Sequence, residues 1–308
     1  MPPSFRWRPR KGSFPAEAWA VLRETARKWI ADDAPTHAAA ISYYAIFAVA
    51  PVLIVAIAIA IPILGQREAE RGVFSQAQQW MGTAGDTRLF HTAVKHASHP
   101  GANFVAAALG VGALLFGSNG IFLQLHRSLN RIWNVPREDA AGLGQSLRRR
   151  GLALLMVIVI GFLFLASLLI STGLSASRVY GVPLLGSQAW HTFAGVAESI
   201  TALGTFTLLF GLLFKMLPDV ALEWRDVLPG AFLAALLFDV GKLAIGAWLG
   251  RSPIGSSFGA AGSMALFLLW FFYGALIALF GAEFTCVDST RRRKHRGDPP
   301  PALRKRAK

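Results

Sequence analysis

The sequence predicts an all-α, polytopic membrane protein with six transmembrane helices and with its N and C termini in the cytoplasm. Of its 308 residues, 54% are hydrophobic, and the formal net charge is +14. Six predominantly apolar segments have about 20 residues or more, which is the length that crosses a bilayer as an α-helix. A soluble domain does not combine this apolar fraction with apolar segments of this length.

The chain divides into three predicted parts. Residues 1–35 are a basic tail followed by an amphipathic helix, residues 36–287 are the six-helix membrane domain, and residues 288–308 are a basic, disordered cytoplasmic tail. In the first part, helical spacing relates Trp19, Leu22, Ala26 and Trp29. This pattern predicts a helix over residues 14–33 that lies on anionic lipid, or else one that packs against a partner.

The six spans are predicted, in chain order, at residues 36–64, 103–125, 152–172, 193–217, 229–250 and 260–284. The first contains Pro51, which is expected to kink it. It follows a long basic segment and exceeds the apolar core of a signal peptide, so it is predicted to be retained. The second span carries a polar break, Gly117-Ser118-Asn119-Gly120.

Lysine and arginine residues predict the orientation of the six spans. The two terminal regions and the two loops on their side hold 24 of these residues, the three opposite loops hold six, and Lys242 lies within a span. Because basic residues concentrate on the cytoplasmic side, both termini are predicted to be cytoplasmic.

Two charged residues lie deep in the predicted fifth span. Asp239 and Lys242 are three residues apart, so they share one helix face and can form an ion pair. A charged residue at the centre of a spanning helix costs about 2.5–3.5 kcal/mol even on the mildest insertion scale. The pair is therefore expected to line a transport path, or else to be a structural ion pair packed against a neighbouring span.

Three further groups are candidates for the substrate path. Glu198, with Thr201 and Thr205 on the same face of the fourth span, could face Lys242 or could form hydrogen bonds between helices. Tyr43 and Tyr44 lie near the inner end of the first span and could instead be interfacial anchors. Asn119 lies in the polar break of the second span.

Several chemistries are not predicted for this chain. Its single cysteine, Cys286, excludes an intrachain disulfide and a CxxC motif. We expect no metal site, because no nearby carboxylate completes a ligand set with His91, His96 and His99, and no cofactor is indicated. A GxxxxGK[ST] motif is absent from the sequence, which argues against an ATP-driven pump. The arginine clusters beside the spans are explained by topology and anionic headgroups, so no nucleic-acid partner is expected.

Four segments of the chain resemble the YihY/virulence factor BrkB family, some members of which have been labelled ribonuclease BN. The resemblance covers most of residues 34–287, and it rests on Tyr43-Tyr44 before Pro51, Asn130-Arg131-Ile132-Trp133, Leu217-Pro218-Asp219, Trp224-Arg225-Asp226, Gly241-Lys242 and Gly281-Ala282-Glu283-Phe284. It implies a multi-pass protein of the bacterial inner membrane with six spans. One departure is Asp239, at a position where glutamate is common in the family.

Three functions follow as alternatives. The first is a transporter or flippase-like protein for an unidentified solute or lipid, which the central charges and polar faces favour. The second is a non-catalytic membrane scaffold or accessory protein. The third, a ribonuclease, is disfavoured because the sequence has no HxHxDH-type motif, so we expect no enzyme activity. Membrane lipids are the expected partners, and the sequence does not decide whether the chain forms a homo-oligomer.

Overall fold

A computed structural model describes residues 14–45, 120–136, 187–249 and 259–297 of the chain. It also describes the single positions 47, 65, 67, 71, 72, 151, 162, 163, 166, 167 and 170. The predicted third span, apart from five of its positions, lies outside the described residues. So do Pro51, Asn119 and the three histidines His91, His96 and His99.

The four continuous described stretches form six helices, and no β-strand occurs among the described residues, which confirms the all-α prediction for this part of the chain. The helices are α1 (Phe14–Ala31), α2 (34–45), α3 (120–132), α4 (Ser187–Met216), α5 (Trp224–Leu249) and α6 (Gly259–Arg296). Within the described part of the chain, three stretches are long and apolar enough to cross a membrane, namely Gly195–Met216, Trp224–Ile245 and Phe267–Arg296.

The surface of α5 is apolar on its exposed side as well as on its buried side. The exposed residues follow one another at helical spacing: Leu228, Phe232, Leu236, Val240 and Leu243. The buried face consists of Val227, Ala231, Ala234, Ala235 and Phe238. A helix that is apolar around most of its circumference is suited to lipid on one side and protein on the other.

Helices α5 and α6 cross closely at two glycines. A methyl group on Gly230 would overlap the Thr285 hydroxyl and lie 2.5 Å from the carbonyl oxygen of Gly281. A methyl group on Gly281 would lie 2.7 Å from the Ala234 side chain. Close backbone approach through small residues is how helices pack in lipid, where the hydrophobic effect supplies no driving force between them.

Helix α4 packs against α5 through aromatic side chains. The ring of Phe238 on α5 lies 4.5 Å from that of Phe206 and 6.3 Å from that of Phe210, both on α4, measured between centroids. The Trp270 ring of α6 lies 5.6 Å from the Phe238 ring on its other side. Phe238 therefore joins three helices, and these contacts fix the face of α5 that carries the charged pair.

Helix α1 packs against α6. Thr25 is fully buried, and the Trp29 ring meets Phe280 edge to face at 6.4 Å. Trp19, by contrast, is 70% exposed. The two tryptophans therefore do not share one environment. At the end of α1 the chain turns at Asp33, which has a φ of 55°, a left-handed conformation that aspartate tolerates.

Four helix ends differ by five residues or more from the predicted ends of the spans. Helix α4 begins six residues before the predicted start at residue 193, and α5 begins five residues before Pro229. Helix α3 continues to Ile132 beyond the predicted end at residue 125, and α6 continues from Phe284 to Arg296. Residues 288–296, predicted as part of a disordered tail, are therefore helical. At these ends the helix extends beyond the apolar segment, and polar residues at the ends of α3, α5 and α6 have partners in the fold.

Candidate functional site

Asp239 and Lys242 form the ion pair that their spacing predicts. The Lys242 Nζ atom lies 2.6 Å from the Asp239 Oδ1 atom, and the two side chains are 17% and 29% exposed, in that order. The ammonium group also lies 6.0 Å from the centroid of the Phe206 ring, at the outer limit of a cation–π contact. The pair therefore faces α4.

The pair lies well inside α5 and at the border between its two faces. Asp239 is about 22 Å along the helix axis from Trp224 and about 15 Å from Leu249, at a rise of 1.5 Å per residue. Around the axis, the buried Phe238 lies on one side of the pair and the exposed Leu243 on the other. The charges are thus placed at the edge of the helix–helix contact and not at its centre.

Tyr273 of α6 contacts the backbone of α5 in the turn that carries the pair. Its hydroxyl group donates a hydrogen bond of 2.9 Å to the Leu237 carbonyl oxygen. A methyl group at Gly241 would overlap the Tyr273 hydroxyl, so only glycine allows the phenol to approach here. Tyr273 was not among the site residues predicted from the sequence. Its signal was Gly241, because a glycine inside a helix costs about 1 kcal/mol relative to alanine and indicates close approach.

The structure does not bring Glu198 to Lys242. No ion pair joins these two described residues, and Glu198 is eight residues, about 12 Å along α4, from Phe206, the ring beside Lys242. The hydroxyl of Thr205 donates to the carbonyl oxygen of Thr201 in its own helix, at 2.8 Å. This hydrogen bond lies within α4, so the Thr205 hydroxyl does not join two helices.

Tyr44 of α2 lies against α3. A methyl group on Gly120 would come within 2.5 Å of the Tyr44 ring, so this ring covers the start of α3. Tyr43 is 57% exposed, and its ring meets those of Tyr44 and Phe47 edge to face at 5.6 and 5.5 Å. Tyr44 therefore connects two segments that were separate motifs in the sequence. Asn119, the neighbour of Gly120, lies outside the described residues.

Asp219 forms a polar cluster with α3 that the sequence analysis did not select as a site. Its carboxylate accepts a hydrogen bond of 2.9 Å from the Asn130 side-chain amide, and its backbone N–H donates to the Asn130 side-chain oxygen at 2.8 Å. The His126 Nε2 atom lies 3.1 Å from the same carboxylate. This cluster holds the end of α3 against the connector between α4 and α5.

Further ion pairs join the same end of the helices. The Arg293 Nη2 atom lies 2.5 Å from the Asp226 carboxylate, which also accepts a 3.3 Å hydrogen bond from the Glu223 N–H and so caps the start of α5. Arg291 of α6 pairs with Glu24 of α1. These partners explain why α5 and α6 continue beyond their apolar segments.

Glu283 is a fully buried carboxylic acid on α6. Asp32 and Lys28 are the charged groups near its carboxyl group. The described parts of the chain contain no group of three or more His, Cys, Asp or Glu side chains that could hold a metal ion.

Three long apolar helices, an apolar exposed face and an ion pair inside α5 define an integral membrane protein. The family model for virulence factor BrkB matches residues 25–306, and the chain therefore belongs to the virulence factor BrkB family.

Similar proteins carry a name that states only their class. A UPF0761 membrane protein from Azotobacter vinelandii is 29% identical over 92% of this chain and 66% of its own length. UPF0761 membrane proteins from Pseudomonas paraeruginosa and Stenotrophomonas maltophilia are each 27% identical, over 91% and 80% of this chain and 66% and 56% of their own lengths. The chain thus spans about two thirds or less of these curated relatives. No solved structure matches it with significant similarity.

Proposed function

We propose that this protein is a transporter or flippase-like protein that moves an unidentified solute or lipid across the membrane. The observation that carries the proposal is the ion pair between Asp239 and Lys242. Asp239 lies about 15 Å or more from either end of α5. Ionisable residues within spanning segments are rare, and by default they indicate substrate or ion pathways.

The surroundings of the pair support this proposal. It lies at the border of the buried face and not in the middle of the packed contact, so a substrate can approach it without separating α4 from α5. The ring of Phe206 flanks it from α4. A cation, a carboxylate and an aromatic ring together suit a substrate that carries both charge and apolar surface.

The second candidate function is a non-catalytic membrane scaffold or accessory protein. The short distance within the pair favours it, since two charges 2.6 Å apart already neutralise each other and need no substrate. The two candidates differ in one respect. A scaffold tolerates replacement of the pair by apolar residues, whereas a transport path does not.

An enzymatic function is not part of the proposal. His126, the histidine that a ribonuclease on the inner side would use, contacts the Asp219 carboxylate and the Asn130 amide. Those contacts give it a packing role at the end of α3. Binding of nucleic acid is likewise not proposed. Self-association, if it occurs, would involve the exposed apolar faces.

The orientation of the chain is proposed as well, with six spans in the bacterial inner membrane and both termini in the cytoplasm. Reporter fusions after Leu143 and after Ala302 should both be active in the cytoplasm, and a fusion within residues 82–99 should be external. The physical reason is the excess of basic residues on the inner side. An external reporter at Leu143 would contradict the six-span arrangement.

Reconstituted vesicles test the transport proposal for lipid substrates. The purified chain is placed in liposomes that contain a trace of fluorescent phosphatidylglycerol, and dithionite then bleaches the probe in the outer leaflet only. Protein-containing vesicles should lose clearly more fluorescence than empty ones, because flipping supplies probe from the inner leaflet. Equal bleaching in both would exclude lipid as the substrate class and confine the proposal to solutes.

A further inference from the structure

A groove of about 1040 Å³ runs between α1 and the C-terminal end of α6. Five basic side chains line it, and we refer to these five as the basic groove: Arg23, Arg27, Lys28, Arg291 and Lys294. The first three are spaced along one side of α1, and the other two follow the apolar part of α6. Neither the candidate ion pair nor the Asp219 cluster lies in this groove.

Positive charge in the basic groove is largely unbalanced. Glu24 is its one acidic lining residue, and Arg291 already holds that carboxylate, with 3.1 Å between Nε and Oε2. Arg23, Arg27 and Lys294 have no ion pair with any residue in the described part of the chain. At least three cations thus line one cavity without an acidic partner there, which favours an anionic ligand.

The position of the groove along α6 matches the level of lipid headgroups. The buried apolar part of α6 ends at Val287, and Arg291 and Lys294 follow about 6 and 10 Å further along the axis. The headgroup layer begins at the end of the hydrocarbon-spanning segment and is several ångströms thick. Each basic residue directly after a spanning helix contributes about 1 kcal/mol to the attraction of anionic lipids. In the groove several such residues lie around one cavity, so their attraction acts on one ligand.

Trp19 supplies the apolar part of this site. It lines the groove, yet 70% of its surface is exposed. Tryptophan is enriched at the membrane–water interface, where its ring lies at the headgroup level. An exposed indole next to unpaired cations is thus suited to a ligand whose phosphate enters the groove while its acyl chains stay in the bilayer.

We propose that the basic groove binds the phosphodiester group of an anionic phospholipid, such as phosphatidylglycerol, and that this lipid fastens α1 to the end of α6. The inference does not depend on the transport proposal, because it concerns a separate site and holds for a scaffold as well. Anionic headgroups are attracted to the inner side of the chain in general, and the proposal places one of them in a defined cavity.

The test measures thermal stabilisation of the purified full-length chain in detergent by added phosphatidylglycerol, with phosphatidylcholine and inorganic phosphate as the other ligands. The groove variant is Arg27→Gln with Lys294→Gln. The control variant is Arg127→Gln with Arg225→Gln, which removes two exposed cations outside the groove. Phosphatidylglycerol should stabilise the wild type and the control, and half-saturation should need roughly 30-fold more lipid for the groove variant.

Three other outcomes would overturn the proposal. Equal stabilisation of the groove variant and the control would show that total charge, and not the groove, attracts the lipid. Inorganic phosphate that acts as well as phosphatidylglycerol would assign the groove to a free anion. A fluorescent RNA oligonucleotide that binds the wild type but not the groove variant would assign it to nucleic acid. If the groove variant is unfolded without lipid, Arg23→Gln with Lys294→Gln takes its place, under the same criteria.

Discussion

Gly230→Leu should prevent α5 from packing on α6 and remove most of the folded protein from the membrane. The leucine would have to occupy the space of the Thr285 hydroxyl and of the Gly281 backbone, and a backbone cannot move aside as a side chain can. Overpacking by this much costs about 3 kcal/mol or more. Abundance in the membrane, measured by fluorescence of a C-terminal fusion after size-exclusion chromatography, should fall about tenfold or more.

Gly204→Leu is the matched control. Gly204 lies on α4, and a side chain there would meet nothing within 4 Å. This variant should keep wild-type abundance or exceed it slightly, since leucine has a higher helix propensity than glycine by about 0.8 kcal/mol. Equal accumulation of both leucine variants would contradict the close crossing of α5 and α6 at Gly230.

Lys242→Met should reduce function by about tenfold or more while membrane abundance stays within about twofold of the wild type. Methionine has a similar length and removes a cation from the interior of α5, so insertion should become easier. Function should be lost because the site then lacks the positive charge that would hold an anionic part of the substrate. The measurement is the growth or uptake phenotype of a deletion strain, scored per amount of protein in the membrane.

Lys215→Met is the control for this prediction. Lys215 lies at the end of α4, where its ammonium group is 4.4 Å from the centroid of the Trp224 ring. It is a cation of the same helix bundle, but it lies at a membrane end and needs no substrate to explain it. Its replacement should leave the phenotype unchanged. Equal losses in the two variants would indicate a general effect of charge and not a site.

Much of the membrane part of this fold follows from the sequence. The last three spans were predicted from their apolar length, and the pairing of Asp239 with Lys242 from a spacing of three residues. Both predictions need only local sequence pattern, so they could be made from the sequence. The ends of α3 and α6 could not be predicted, because a hydropathy pattern marks only the last apolar residue of a helix. The turns that follow are held by partners distant in sequence, as when Asp226 pairs with Arg293.

The residues that make up the candidate site were harder to predict from the sequence. Tyr273 reaches α5 from another helix, and only the position of Gly241 hinted at its approach. The sequence left open whether Glu198 faces Lys242 or forms hydrogen bonds between helices, because one-dimensional spacing cannot give the relative height of two helices. Asn130 and Asp219 were visible as motifs, yet their mutual hydrogen bonds depend on the packing of α3 against the connector after α4.

The polar contacts at one end of the helices and the ion pair inside α5 have different expected roles. The contacts of Asp219, Asp226 and Arg291 join helix ends, beyond the apolar segments, and they position the spans. The pair of Asp239 and Lys242 lies within the span, where each charge is costly and where no helix end needs to be fixed. This contrast is the reason to assign function to the pair and structure to the others.

The double variant Asp239→Leu with Lys242→Met tests that assignment most directly. Apolar replacement of a buried ion pair is often neutral or stabilising, so the variant should reach the membrane at wild-type abundance whichever role the pair has. Activity per molecule in the deletion strain is then the deciding measurement. The transport-path account predicts a residual activity of about a tenth or less of the wild type. Wild-type activity at wild-type abundance would contradict that account and would favour a scaffold in which the pair is only structural.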